Sequence, residues 1–167
     1  GRLFSHPGID LLVVTGGEAV VEAARKRATT RLISAGAGNP PVLVDETADL
    51  ERAARSVYTG ASFDNNIICA DEKVLIAVEA IADRLLAAMK GLGAVLLTAD
   101  QAAALAAVVI KKNGTPEAAA DPAWVGKDAA VLAAAIGLTV PETCRLLLVD
   151  AGRDTDHVFV RVEQMMP

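Results

Sequence analysis

The sequence predicts an α/β fold, a mostly parallel sheet flanked by helices, and three observations lead there. Short aliphatic and β-branched runs alternate along the chain with segments of helical periodicity, the order that strand–helix–strand units impose. Glycines close several of these segments, at Gly16-Gly17, at Gly91 and Gly93, and at Gly137. Hydrophobic residues make up 53% of the 167 positions but aromatics only 3%, so the core has to be built from Ala, Val, Leu and Ile. A chain of this length forms one domain and buries about two-thirds of its extended-chain surface without disulfide or metal staples.

The elements follow in order. Leu11 to Thr15 is a compact apolar run ended by Gly16-Gly17, and Glu18 to Arg27 carries small and apolar residues in a helical pattern. This reads as a strand, a glycine turn and a helix, in which the turn brings backbone N–H groups close to a ligand with the helix dipole behind them. An ordinary β–α turn has the same look, and the spacing is not that of the G-x-G-x-x-G fingerprint. Thr30 to Ser34 and Val42 to Val44 are strand-like and flank Ala35-Gly-Ala-Gly-Asn-Pro-Pro41. Asp49 to Ala61 places Leu50, Ala53, Ala54, Val57 and Ala61 on one helical face. Asp64, Asn65 and Asn66 end that helix, because short polar side chains compete for backbone partners. Lys73 to Val78 reads as a strand buried on both faces.

Further on, Ile81 to Met89 is an amphipathic helix with Ile81, Leu85, Leu86 and Met89 inward. Thr98-Ala-Asp-Gln101 has the capping-box pattern ahead of a helix through Ile110. Asn113 to Pro122 reads as a surface loop, Asp128 to Ile136 as an Ala-rich helix, and Pro141 to Val149 as a strand. Trp124, the only tryptophan, suits a packing anchor. Lys127 is a solvated lysine by default, and His6 and His157 lack the surroundings of a general base.

Cys69 stands where a helix, a polar turn and a strand meet. A lone cysteine there is either a small buried hydrophobe or a thiol facing a cleft at the mouth of the strand. Cys144 sits among strand residues with no polar turn beside it and reads as structural.

The formal net charge of −5 is scattered rather than blocked, which leaves no footprint for nucleic acid or an anionic membrane. Two cysteines with no C-x-x-C or Cys/His cluster suggest neither a metal site nor a disulfide framework, and a reducing cytoplasm fits. No apolar stretch reaches the length of a membrane span. The chain opens on Gly1 and stops at Met166-Pro167, which reads as a piece of a longer protein.

Two stretches carry a family resemblance: Gly36-Ala-Gly-Asn-Pro-Pro-Val-Leu-Val-Asp-Glu-Thr-Ala-Asp49 and Gly60-Ala-Ser-Phe-Asp-Asn-Asn-Ile-Ile-Cys69. Both resemble segments of the aldehyde dehydrogenase superfamily, nearest to its CoA-acylating propionaldehyde and acetaldehyde dehydrogenase branch of diol and ethanolamine degradation. The likeness covers nearly the whole chain, including Trp124-Val-Gly-Lys-Asp128. It implies that residues 1–167 are the nucleophile-bearing catalytic domain and that the main nucleotide-binding domain lies outside this chain. It further implies Cys69 as nucleophile, Thr15 and Gly16 beside the nicotinamide of NAD, and Glu163 on the nicotinamide ribose. A carboxylate such as Glu163 is otherwise an ordinary surface charge.

Hydrolytic members of the superfamily carry a Glu that activates water against the acyl-enzyme. The matching position here is Ala35, 34 residues before Cys69, and alanine accepts no proton. A thioester then persists against water, while a thiol acceptor needs less help because part of it is already thiolate at neutral pH. The resemblance therefore implies oxidation of a short-chain aldehyde by NAD to a Cys69 thioester and transfer of the acyl group to coenzyme A. Its expected partners are the aldehyde, an N-terminal nucleotide-binding domain of the same chain and further copies in a homo-oligomer, in the cytoplasm or inside a bacterial microcompartment. Two alternatives stay open: a relative that hydrolyses its thioester or reduces an acyl phosphate, and a non-catalytic α/β assembly module with Cys69 merely buried.

Overall fold

The computed structural model describes all 167 residues. They form two compact units, residues 1–38 and 39–167, each described by itself.

In the first unit a 3-10 turn, Arg2–Ser5, precedes β1 (Leu11–Thr15), α1 (Glu18–Arg27) and β2 (Arg31–Ala35). The strands pair in parallel, from Leu11 opposite Arg31 to Thr15 opposite Ala35. Alternation along β1 turns Leu12 and Val14 inward onto Ala24 of α1, with Phe4, Ile9, Ala28 and Leu32 around them. Val13, on the other face, is 66% exposed. Arg25, Lys26 and Arg27 occupy the last turn of α1, where positive charge meets the negative end of the helix dipole.

The second unit runs β3 (Pro41–Val44), α2 (Leu50–Ala61), β4 (Val74–Ala77), α3 (Glu79–Gly91), β5 (Val95–Leu96), α4 (Ala99–Val109), β6 (Ile110–Lys111), β7 (Ala119–Ala120), α5 (Ala129–Ala135), β8 (Leu147–Leu148) and α6 (Val158–Arg161). The β3–β4 and β5–β8 pairs are parallel, and only β6–β7 is antiparallel. The mostly parallel α/β class is thus present. One core joins Val44, Val57, Ile81, Leu85, Met89 and Leu146 between β3, α2 and α3. A second gathers Leu105, Val109, Leu132, Cys144, Phe159 and Met166 around α4 and α5. Full burial of a Leu or Met side chain contributes about 1.5–3 kcal/mol, so Leu85, Met89 and Leu132 are principal anchors of these cores. Asp49 caps α2 by accepting from the Arg52 amide at 3.1 Å, and Thr98 and Gln101 form the reciprocal capping box of α4.

Several expectations are corrected. β4 is not buried on both faces: Ile76 is 49% exposed, because β4 hydrogen-bonds only to β3 and the pair has one face without cover. Leu86 is half-buried rather than inward, since the buried stripe of α3 runs through Ile81, Leu85 and Met89. α4 stops at Val109 as Ile110 turns extended to pair with Ala120, so the expected loop 113–122 contains a strand. The strand expected over 141–149 shrinks to Leu147–Leu148, because a turn in which the Cys144 amide donates to Pro141 O at 2.9 Å occupies its beginning. No helix is long and apolar enough to cross a membrane.

Candidate active site

Cys69 lies in a turn three residues after the short 3-10 segment Phe63–Asn66 and ahead of β4, and it is exposed. The backbone leading to it is unusual. Asp64, Asn65 and Asn66 have φ of 44°, 52° and 57°, three successive non-glycine residues in left-handed conformation. Aspartate and asparagine are the residues that tolerate this region best, which is why the sequence Asp-Asn-Asn allows the turn at all.

Side chains hold the strained run in place. Asn66, 3% exposed, donates from Nδ2 to Ala61 O at 2.8 Å and to Glu72 O at 3.0 Å, spanning the turn from the end of α2 to the approach of β4. Asn65 donates from Nδ2 to Gly126 O at 3.0 Å and to Asp128 Oδ1 at 2.7 Å. Gly126, at φ +68°, packs against Ile67, whose Cδ1 a Cβ there would meet, and its own amide donates to Met165 O at 2.9 Å. The Trp124–Asp128 segment therefore buckles the Cys69 turn to the C-terminal stretch.

Lys73 sits under the turn. Its Nζ donates to Asn66 O at 3.0 Å, to Ile68 O at 3.2 Å and, closely, to Asn66 Oδ1. Burial pushes its ammonium below the ordinary lysine value, while Asp71, Glu163 and Cys69 pull it back up. Asp71 is itself only 9% exposed, and its Oδ2 has no hydrogen-bond donor.

Glu163 is half-buried in the extended chain after α6. Asn39 fixes its backbone on both sides, donating from Nδ2 to Val160 O at 2.9 Å and Val162 O at 2.7 Å and accepting from the Gln164 amide at 3.2 Å. A cleft of 620 Å³ opens nearby, lined in part by Asn66, Glu72, Lys73, Leu86, Gln164 and Pro167. Cys69 is not among its lining residues; it is exposed on its turn beside the exposed Ile67 and Ile68.

In the first unit, Thr15 is exposed at the end of β1 and Gly16 turns away at φ +142°, its amide donating to Ala35 O at 3.3 Å. Ala35 stands directly opposite Thr15 in the ladder. Gly17, the N-cap of α1, has open space where a side chain would project, and no side chain caps the helix. The corner is therefore open to a ligand, with free N–H groups at the start of α1.

The remaining candidates take structural places. Cys144 is 4% exposed with its thiol toward Leu146 O at 3.6 Å. His157 is half-buried rather than a surface residue and caps α6, its Nδ1 accepting from the Phe159 amide. His6 accepts from the Gly8 amide at 3.1 Å, Lys127 is exposed, and Trp124 packs against the α4–α5 core. Asn39, Asn65, Asn66 and Lys73 escaped the sequence reading as site residues. Only Lys73, four residues after Cys69, carried a local hint.

Comparison with known proteins places the chain in a family. The Aldehyde dehydrogenase family profile matches residues 1–114. The chain is 63% identical over 170 residues to an acetaldehyde dehydrogenase (acetylating) of Bilophila wadsworthia, covering 99% of this chain and 35% of that protein. It is similar in structure to a propionaldehyde dehydrogenase from the fucose utilisation bacterial microcompartment of Clostridium phytofermentans, with TM-score 0.86, 40% identity, and coverage of 99% of this chain and 37% of that one. A Rhodopseudomonas palustris propionaldehyde dehydrogenase solved with bound propionyl-CoA matches with TM-score 0.83 and 39% identity, over 99% of this chain and 35% of that one. The chain spans about a third of the length of the curated relatives it matches. From the family match across most of its length and these identities over nearly all of it, the chain belongs to the aldehyde dehydrogenase family.

Proposed function

We propose that residues 1–167 are the nucleophile-bearing catalytic domain of a CoA-acylating aldehyde dehydrogenase, and that a longer chain supplies the main nucleotide-binding domain. The observation that carries this reading is Ala35. The position that bears a water-activating glutamate in hydrolytic members is a methyl group, paired with Thr15 at the end of β1. The names of the relatives support it, since they are acetylating or CoA-propanoylating enzymes.

In this reading the Cys69 thiolate adds to the carbonyl carbon of a short-chain aldehyde, forming a C–S bond and a thiohemiacetal oxyanion. The Cys69 amide, which donates to no protein acceptor, is available to that oxyanion. A bound nicotinamide of NAD would supply the hydride acceptor that conversion of the thiohemiacetal to a thioester requires. Thr15 and Gly16 line the open corner that suits the nicotinamide, and the half-buried Glu163, its backbone fixed by Asn39, suits the ribose hydroxyls. The thiolate of coenzyme A then attacks the thioester carbon, a new C–S bond replaces the old one, and Cys69 leaves as thiolate. No carboxylate stands at position 35 to take a proton from water, so the thioester waits for the thiol. The full-length protein is a homo-oligomer in this account, and the microcompartment source of one relative supports the same location here.

The test is the fate of the thioester in the full-length protein. After oxidation of the aldehyde without CoA, the acyl-enzyme is divided among solutions containing CoA, phosphate or neither. Fast release by CoA alone is expected. Equal release in buffer, or preferential release by phosphate, refutes the assignment to the CoA-acylating branch.

A further inference from the structure

Three side-chain donations converge on the strained run before Cys69, and one residue makes them all. Lys73 Nζ meets Asn66 O, Asn66 Oδ1 and Ile68 O. Three acceptors require three N–H donors, which only the protonated ammonium has, so this geometry is that of a charged lysine. The Asn66 amide is oriented by the same network: its Nδ2 is engaged with Ala61 O and Glu72 O, leaving Oδ1 toward Lys73.

We propose that Lys73 is a positioning residue for Cys69, its ammonium bracing the left-handed turn through Asn66 and Ile68 and so holding a positive charge against the residue that immediately precedes the thiol. The inference rests on the reading of Cys69 as nucleophile and deepens it, because it names what activates the thiol. The charged groups around Lys73 are Asp71, Glu163 and Cys69, each felt across space, with Glu72 next in sequence lying over Gly60 of α2. Arg145 reaches only Ser62 O, at 3.2 Å, and Asp128 is engaged by Asn65. Lys73 is therefore the cation that the Cys69 turn encloses. A cation near a thiol favours the thiolate, and the thiolate is the form that attacks a carbonyl.

The turn explains the position as well as the charge. Three consecutive left-handed residues store strain that relaxes unless it is over-determined, and such strain is kept where a group has to be presented in one orientation. Lys73 pins both ends of the last step, Asn66 and Ile68, so the sulfur one residue on starts from a fixed backbone.

The experiment uses the full-length protein and follows alkylation of Cys69 by iodoacetamide as a function of pH, with the site read by peptide mass. Wild type is expected to react at neutral pH. In Lys73→Met and Lys73→Gln the midpoint of the profile moves upward by about one pH unit, making alkylation near neutrality about tenfold slower. Lys73→Arg, which keeps the charge, returns the midpoint toward wild type. Lys73→Gln retains donors without charge, so it separates bracing from electrostatics and stands in if Lys73→Met fails to fold. A midpoint unchanged in Met and Gln variants, including a uniform slowing at every pH, overturns the proposal while leaving Cys69 as nucleophile. A wild-type Cys69 that resists alkylation until the protein is unfolded overturns both.

Discussion

Asn66→Ala is the substitution that bears most directly on how the candidate site is built. Asn66 is 3% exposed and holds Ala61 O at 2.8 Å and Glu72 O at 3.0 Å. Ala61 is 7% exposed, so its carbonyl loses a partner that water replaces poorly, which costs about 1–3 kcal/mol. Glu72 is half-buried, and water recovers most of the second bond, leaving a loss of about 0.5 kcal/mol. Alanine at φ +57° adds about 1–2 kcal/mol of left-handed strain that asparagine largely avoids. Together these predict destabilisation of about 2.5–5.5 kcal/mol, measured as the change in unfolding free energy from urea titration. Asn66→Gly removes the strain but loses more chain entropy on folding, so it should be about 0.5–1 kcal/mol more stable than Asn66→Ala. An Asn66→Ala protein within about 0.5 kcal/mol of wild type, a shift typical of neutral surface changes, would refute the claim that Asn66 secures the turn. So would an Asn66→Gly protein less stable than Asn66→Ala.

Three further predictions follow from single features. Gly126→Ala puts an L side chain at a φ of +68°, and urea titration should show a loss of about 1–2 kcal/mol from left-handed strain, since the exposed end of Ile67 that the methyl meets can move aside; no loss would contradict the left-handed backbone at this position. Thr98→Ala removes the acceptor for the Gln101 amide at 3.3 Å and should cost about 1 kcal/mol by the same measurement. The Ala123 amide, and then Lys111, hold the Asp121 carboxyl below its ordinary value. A carboxylate lowered in the folded state stabilises above its unfolded-state pKa, and that stabilisation is lost as pH falls through the folded-state value. Asp121→Asn should therefore be less stable than wild type at neutral pH and equal to it in strong acid; a gap that persists unchanged in acid would contradict the assignment.

What the sequence revealed and what it hid divide along the range of the interactions. The helix Glu18–Arg27 and the Thr98/Gln101 capping box were legible because their signals lie within a turn of the residues they organise. The mostly parallel class was legible from the alternation of runs, but β5, β6, β7 and β8 are two residues each and owe their pairing to partners elsewhere in the chain. Asp64–Asn66 was readable as a turn, since those side chains favour one. Three successive left-handed residues were not, because that conformation depends on Lys73, on Gly126 and on Asp128 across the unit. Asn39 was hidden for the same reason: its partners at Val160, Val162 and Gln164 lie more than a hundred residues away. Cys69, Thr15, Gly16 and Glu163 are proposed from resemblance alone, and the structure adds the physical surroundings that local sequence could not: exposure for the thiol, an open corner beyond β1, and a backbone clamp around the glutamate.

The central claim is that Cys69 carries the acyl group. The most direct measurement is to incubate the full-length protein with a short-chain aldehyde and NAD in the absence of CoA, then locate the added acyl mass by peptide mapping. A single adduct is expected on the peptide containing Cys69, and it should disappear on adding CoA. An adduct on Cys144 or elsewhere, or NADH formed with no adduct at all, would contradict the claim.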